Sequence, residues 1–138
     1  MSTEENKAIV HKFIEHYNKG NRDTAHEFMS EDCEILDWTG KLYKKQEFIQ
    51  TMDEFIRAFP DFNLTIEDII AEGDKVVIRL TEDGTMKGNF MGIKATGKKF
   101  TYPAIEIYRF ANGKVTGIWT VRDILTAGTQ TGMFPSPE

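Results

Sequence analysis

Glu106 has the setting that most invites chemistry. Side chains on an extended chain alternate between two faces, so within the run Lys98–Phe110 it shares a face with Tyr102, Ala104 and Tyr108. Burial among such groups disfavours the charged form of a carboxyl. A neutral carboxylic acid can then donate a hydrogen bond to an oxyanion as it develops. Arg122, on the following strand, either joins Glu106 in a pocket or forms with it a buried ion pair that holds the sheet without chemistry. Asp37 is a second acid, near a strand end and beside Trp38, whose ring offers an apolar wall. A carboxylate that abstracts a proton needs only reach and a pKa tuned toward neutrality. An Asp in such a place serves equally as a turn or capping residue.

The company Glu106 keeps depends on the turn Ala111-Asn112-Gly113. A three-residue loop with Gly113 in the left-handed conformation pairs Phe110 with Lys114 and sets Glu106 opposite Ile118. Tyr102, Ala104, Glu106 and Tyr108 then share a face with Ile118, Thr120 and Arg122. A two-residue Asn112-Gly113 turn sets Glu106 opposite Trp119 instead and brings Val121 and Asp123 to that face. One residue of slip exchanges the whole set.

These strands must be held by the elements before them. Ile9, Val10, Phe13, Ile14 and Tyr17 lay an apolar stripe along a helix over residues 4–19, with Ser2 and Glu5 as its capping box and Gly20 as its stop. Asn21 caps a short second helix through about Met29. Phe48, Met52, Phe55, Ile56 and Phe59 mark a third, which Pro60 prevents from continuing. Cys33–Trp38, Asn63–Ala71, Lys75–Thr85, Lys98–Phe110 and Lys114–Asp123 read as strands, and the tail from Thr129, with Pro135 and Pro137, as irregular. Three helices followed by a meander of long strands is an α+β order. A strongly bent, mostly antiparallel sheet wrapped on the helices is the compact way to bury these faces.

Composition narrows the partners. The 138 residues, 40% hydrophobic and 12% aromatic, suit one domain (1–138, core about 5–125) with an apolar interior. A net charge of −5 without a basic cluster argues against nucleic acid. Cys33 is the sole cysteine, which excludes an internal disulfide and fits a reducing cytosol. The acidic, polar start is unlike a signal peptide, and no apolar run approaches membrane length. No clustered His, Cys and carboxylate spacing and no phosphate-binding glycine loop calls for a metal, flavin or nicotinamide, so no cofactor is expected.

Several blocks of the sequence, taken in order, resemble the SnoaL-like polyketide cyclases, within the nuclear transport factor 2-like fold that also holds ketosteroid isomerases. They are Phe59-Pro60-Asp61-Phe62, Ala71-Glu72-Gly73-Asp74-Lys75-Val76-Val77, Gly88-Asn89-Phe90-Met91-Gly92-Ile93, Thr96-Gly97-Lys98, Ile105-Glu106-Ile107-Tyr108-Arg109-Phe110 and Gly113-Lys114-Val115 with Trp119. The resemblance runs from about Glu5 to Asp123 and implies a cone around one apolar pocket. It favours the three-residue loop, because family members place their pocket acids that way. It also implies a base at Asp37 and a proton-donating stabiliser at Glu106, with Phe13, Tyr17, Trp38, Phe55, Tyr102, Tyr108, Ile118, Thr120 and Arg122 as substrate contacts.

Departures from the pattern are specific. Phe13 stands where the isomerases have a Tyr, so a second donor must come from Tyr17, Tyr102 or Tyr108. Ile118-Trp119-Thr120 stands where the cyclases commonly read His-Trp-Asp, and Met86 replaces another frequent His. The functions implied are acid/base chemistry on a small hydrophobic carbonyl-containing or cyclic substrate, passive binding of such a molecule, or epoxide hydrolysis with Asp37 and Glu106 bridged by Arg122. A homodimer through the outer sheet face is expected by the same analogy. His11, His16 and His26 fall mostly off the apolar stripe and read as solvent-facing. Arg79 reads as outer-face, paired with Glu67 or Glu82, and Asp61 as a solubilising turn residue.

Overall fold

Helix α1 (Thr3–Asn18) starts at the expected cap: the Ser2 hydroxyl accepts from the Glu5 amide at 3.1 Å, and the Glu5 carboxylate accepts from the Ser2 amide at 3.2 Å. Residues 2–135 of the chain are described, in a computed structural model. Val10, Phe13, Ile14 and Tyr17 form the buried stripe of α1, and Gly20 ends the helix at φ +81°. The short α2 (Arg22–His26) turns the chain into β1 (Met29–Leu36), which begins earlier than the expected Cys33. A three-residue β2 (Leu42–Lys44), not foreseen, pairs antiparallel with the end of β1. Helix α3 (Lys45–Ala58) stops before Pro60.

The remaining strands are β3 (Asn63–Glu72), β4 (Lys75–Thr85), β5 (Lys99–Ala111) and β6 (Lys114–Arg122). With β1 and β2 they form one sheet in the order β2-β1-β6-β5-β4-β3, antiparallel except where β1 runs parallel to β6. Three register shifts, in β1 between Met29 and Glu34, in β3 between Ile66 and Asp68 and in β6, help the strands bend. The curled sheet closes on α1 and α3. Asn18 fixes the seam: its side-chain amide donates to the Leu64 carbonyl and its side-chain oxygen accepts from the Leu64 amide, both at 2.8 Å.

The last hairpin combines features of both registers considered above. Its turn is the two-residue one, with Asn112 and Gly113 at φ 51° and 75° and Ala111 paired with Lys114. Thr116 is then an extra residue in β6, so that Phe110 pairs with Val115 but Arg109 with Gly117. This bulge restores the face that the three-residue loop would have produced. Glu106 lies opposite Thr120, not Ile118, and Ile118, Thr120 and Arg122 share its side of the sheet.

The tail corrects the expectation at Thr129. Ile124–Thr131 form a further helix, α4, whose N-cap Asp123 accepts from the Thr126 amide at 3.1 Å and the Thr126 hydroxyl at 2.6 Å. Asp123 is therefore a helix cap. Pro135 follows the helix stop at Gly132, and Pro137 lies outside the described residues. Asp61 is structural as well. It accepts from the Thr85 amide at 2.7 Å and the Thr85 hydroxyl at 2.6 Å, tying the turn after α3 to the end of β4.

Candidate functional site

The inner face of β5 and β6 forms the floor of a narrow hollow of about 80 Å³. Phe13, Ile14 and Tyr17 of α1 and Phe48, Thr51 and Met52 of α3 wall it, with Phe62 and Leu64 at one end. Ile35, Asp37, Trp38 and Tyr43 surround the other. Glu106, Tyr108, Ile118, Thr120 and Arg122 supply the floor. Of the residues expected here, Phe55 and Tyr102 are not among the lining. Phe55 stacks on Phe59 at 4.7 Å and meets Phe62 and Phe90 edge-on, inside an aromatic cluster. The Tyr102 hydroxyl donates to Glu82 at 2.5 Å, farther along the same inner face of the sheet.

Glu106 is 6% exposed, and both its oxygens accept: one from the Tyr108 hydroxyl at 2.7 Å, the other from Arg122 at 3.3 Å. In this arrangement it offers no proton, which is the geometry of a base where the resemblance implied a donor. Arg122 also reaches Glu82 at 3.3 Å. One cation thus serves two buried carboxyls. Burial pushes the Glu82 carboxyl above the ordinary glutamate value, and Glu106 adds to this against the pull of Arg122 and Tyr102. Burial opposes the charge of Arg122, yet Glu82 and Glu106 outweigh it and keep the guanidinium protonated. An acid–Arg–acid arrangement is therefore present, but its second acid is Glu82, which is not among the residues lining the hollow, and not the Asp37 considered for epoxide opening.

Glu82 is fully buried, a correction to its placement on the outer face, whereas Arg79 does lie outside, paired with Asp68 at 2.7 Å. Alternation would have found Glu82: Val76, Ile78, Leu80 and Glu82 follow one another at a spacing of two, and the first three are completely buried.

Asp37 lies in the turn between β1 and β2. Its Oδ1 accepts from the Thr39 hydroxyl at 2.5 Å, the Thr39 amide at 2.9 Å and the Lys41 amide at 3.2 Å. Partial burial pushes its pKa up, but these bonds and Tyr43 outweigh that and hold the carboxyl below its ordinary range. Asp37 is thus an ionised turn residue at the rim. Trp38 beside it is 42% exposed and lies against Arg122, 5.9 Å from guanidinium carbon to ring centroid.

Two further polar groups matter. The Thr120 hydroxyl is buried on the floor with no hydrogen-bond partner among the described residues. His26, expected in solvent, is 5% exposed and bonded through Nε2 to the Tyr17 hydroxyl. Its neighbours on α2 gave no apolar period long enough to reveal this.

Comparison with known proteins matches this architecture. Aklanonic acid methyl ester cyclases from Streptomyces sp. (strain C5) and Streptomyces peucetius are each 28% identical over 136 residues. The alignments cover 94% of this chain and 84% and 93% of those proteins. Among solved structures, AclR from Streptomyces galilaeus, provisionally described as a hydroxylase, superposes with a TM-score of 0.90 at 28% identity, covering 97% of this chain and 100% of AclR. IdmH from Streptomyces antibioticus, provisionally described as a polyketide cyclase, gives 0.82 at 26%, covering 91% and 97%. The shared features extend to the whole sequence pattern: residues 7–131 match the SnoaL-like polyketide cyclases, and the chain belongs to that family.

Proposed function

We propose that this protein is a cofactor-independent acid/base catalyst of the cyclase or isomerase type, acting on a small hydrophobic carbonyl compound in the hollow. The observation that carries the reading is Glu106, a carboxyl closed off from water in an otherwise largely apolar hollow, beside the partnerless Thr120 hydroxyl. Glu106 takes a proton from carbon next to a carbonyl, and the enolate formed attacks a second carbonyl of the same molecule. A carbon–carbon bond closes, and the new alkoxide recovers the proton, so no atoms are gained or lost. Asp37, the second carboxylate bordering the hollow, serves as an auxiliary base at the rim. The relatives named for closing a ring in an esterified substrate support this class of reaction.

Exchange of the α-protons of 2-tetralone in D₂O, followed by NMR, tests the first step. Glu106→Gln is expected to lower the protein-catalysed rate by about 100-fold or more, and Asp37→Asn to lower it less. Exchange retained in both variants removes the mechanism. A second reading is passive binding, favoured by Ile118 and Thr120 standing where family members commonly carry His and Asp. It is distinguished by 2-tetralone that binds to wild type and emerges with its α-protons unexchanged. We also propose a cytosolic location, consistent with the lone cysteine, and a homodimer formed through the outer face of the sheet, where Ile105 and Val121 stand 50% and 63% exposed. No helix among the described residues is long and apolar enough to cross a membrane.

A further inference from the structure

Ring closure or enolisation needs a donor at the carbonyl oxygen as well as a base, and Glu106 accepts at both of its oxygens. The Tyr108 hydroxyl donates to Glu106, and that of Tyr102 donates to Glu82 outside the lining of the hollow. Tyr43 lies toward Asp37 at the rim. Tyr17 differs from all of these. It lines the hollow, it is 6% exposed, and its partner, His26 Nε2, can be either donor or acceptor.

His26 is packed edge-on against Tyr17 and Phe48, with ring centroids 5.4 and 6.0 Å away. It also lines a shallow depression on the outer surface with Asp23, Glu31 and Lys45. The Tyr17–His26 bond therefore spans the wall between the hollow and that depression. We propose that Tyr17 donates to a carbonyl oxygen bound in the hollow, and that His26 is its positioning residue, donating from Nε2 so that the phenolic proton is left for the ligand. This rests on the acid/base reading of the site.

The charges around the pair suit these roles. Burial lowers the His26 pKa, and Lys45 and Arg22 add to that against Asp53 and Asp23, so the ring is neutral at pH 7 and carries one proton. Burial holds the Tyr17 hydroxyl far above the ordinary phenol range, with Glu106 acting in the same direction, so it remains a donor. When an oxyanion takes the phenolic proton, the Nε2 proton passes to the Tyr17 oxygen and the ring gains one at Nδ1 from water. One proton enters as one leaves.

The test is ¹⁵N NMR of the full chain with 2-tetralone as the probe. At pH 7 the His26 ring is expected as the neutral Nε2–H tautomer, and saturation with 2-tetralone shifts its Nε2 signal in wild type but not in Tyr17→Phe. Tyr17→Phe lowers α-proton exchange by about 100-fold. His26→Leu lowers it as well, and His26→Gln, whose side-chain amide offers an N–H near the Nε2 position, restores it. An Nδ1–H tautomer overturns the inference. So does a Thr120 amide that moves on adding 2-tetralone while the His26 ring stays unchanged, and this outcome leaves the proposed function standing. A Thr120 amide that does not respond to the probe overturns both.

Discussion

Arg122 between Glu82 and Glu106 is a site where one charge decides the stability of its surroundings. A carboxyl whose folded pKa stands above its unfolded value keeps a proton that the unfolded chain has already released. Stability from Glu82 is therefore fully present below about 4.5, its ordinary value, and is lost as pH rises toward the folded one. Glu82→Gln is expected to flatten the decline of the melting temperature between pH 5 and 8, measured by thermal denaturation at each pH. Arg122→Leu has the opposite effect, since it leaves two buried carboxyls without their cation, at a cost of about 3–5 kcal/mol. This network was half legible in the sequence. Strand alternation placed Glu106 with Tyr102 and Tyr108, and the same rule applied to β4 would have brought Glu82 inside. His26 gave no such sign, because its burial comes from Tyr17 and Phe48, residues brought to it by the fold.

At the scale of elements, the Thr116 bulge determines which side chains face the hollow. Regular pairing through Thr116 would instead set Arg109 opposite Thr116 and Glu106 opposite Trp119, turning Ile118, Thr120 and Arg122 toward solvent and Trp119 and Val121 inward. Deleting Thr116 leaves Arg109 opposite Gly117 and is expected to retain cooperative unfolding, read by near-ultraviolet circular dichroism, whereas inserting one alanine between Gly117 and Ile118 shifts the pairs beyond it by one residue and is expected to abolish it. The helices and long strands were readable because each carries several turns or alternations. A single extra residue carries no period, so the sequence offered two turns and not the combination of one turn with a bulge. β2, at three residues, is too short for alternation to register. α4 was missed through its mixed composition, although Asp123 with Thr126 three residues on, and Gly132 beyond, are cap and stop signals of the kind that located α1.

Across the whole molecule, the outer face of the sheet differs from the inner one in carrying an apolar patch that no described residue covers. Ile105, Val121 and Trp119, the last 37% exposed, lie on neighbouring β5 and β6. For the proposed homodimer, sedimentation at micromolar concentration is expected to show two copies in wild type and one in Val121→Glu, while a monomeric wild type refutes it. The likeness of the whole chain to cyclases was legible from the order of its motifs, and the size of the hollow was not, since volume depends on how rings pack. That size governs how a guest arrives. At about 80 Å³ the space is below the roughly 150 Å³ that accepts benzene in an engineered protein cavity, so a ring system enters only when side chains such as Trp38 or Phe48 swing aside. Entry then waits on a breathing motion of the protein. In stopped-flow mixing the observed rate should level off at high ligand concentration, and Trp38→Ala should raise that plateau; a rate that climbs linearly without limit would mean the doorway already stands open.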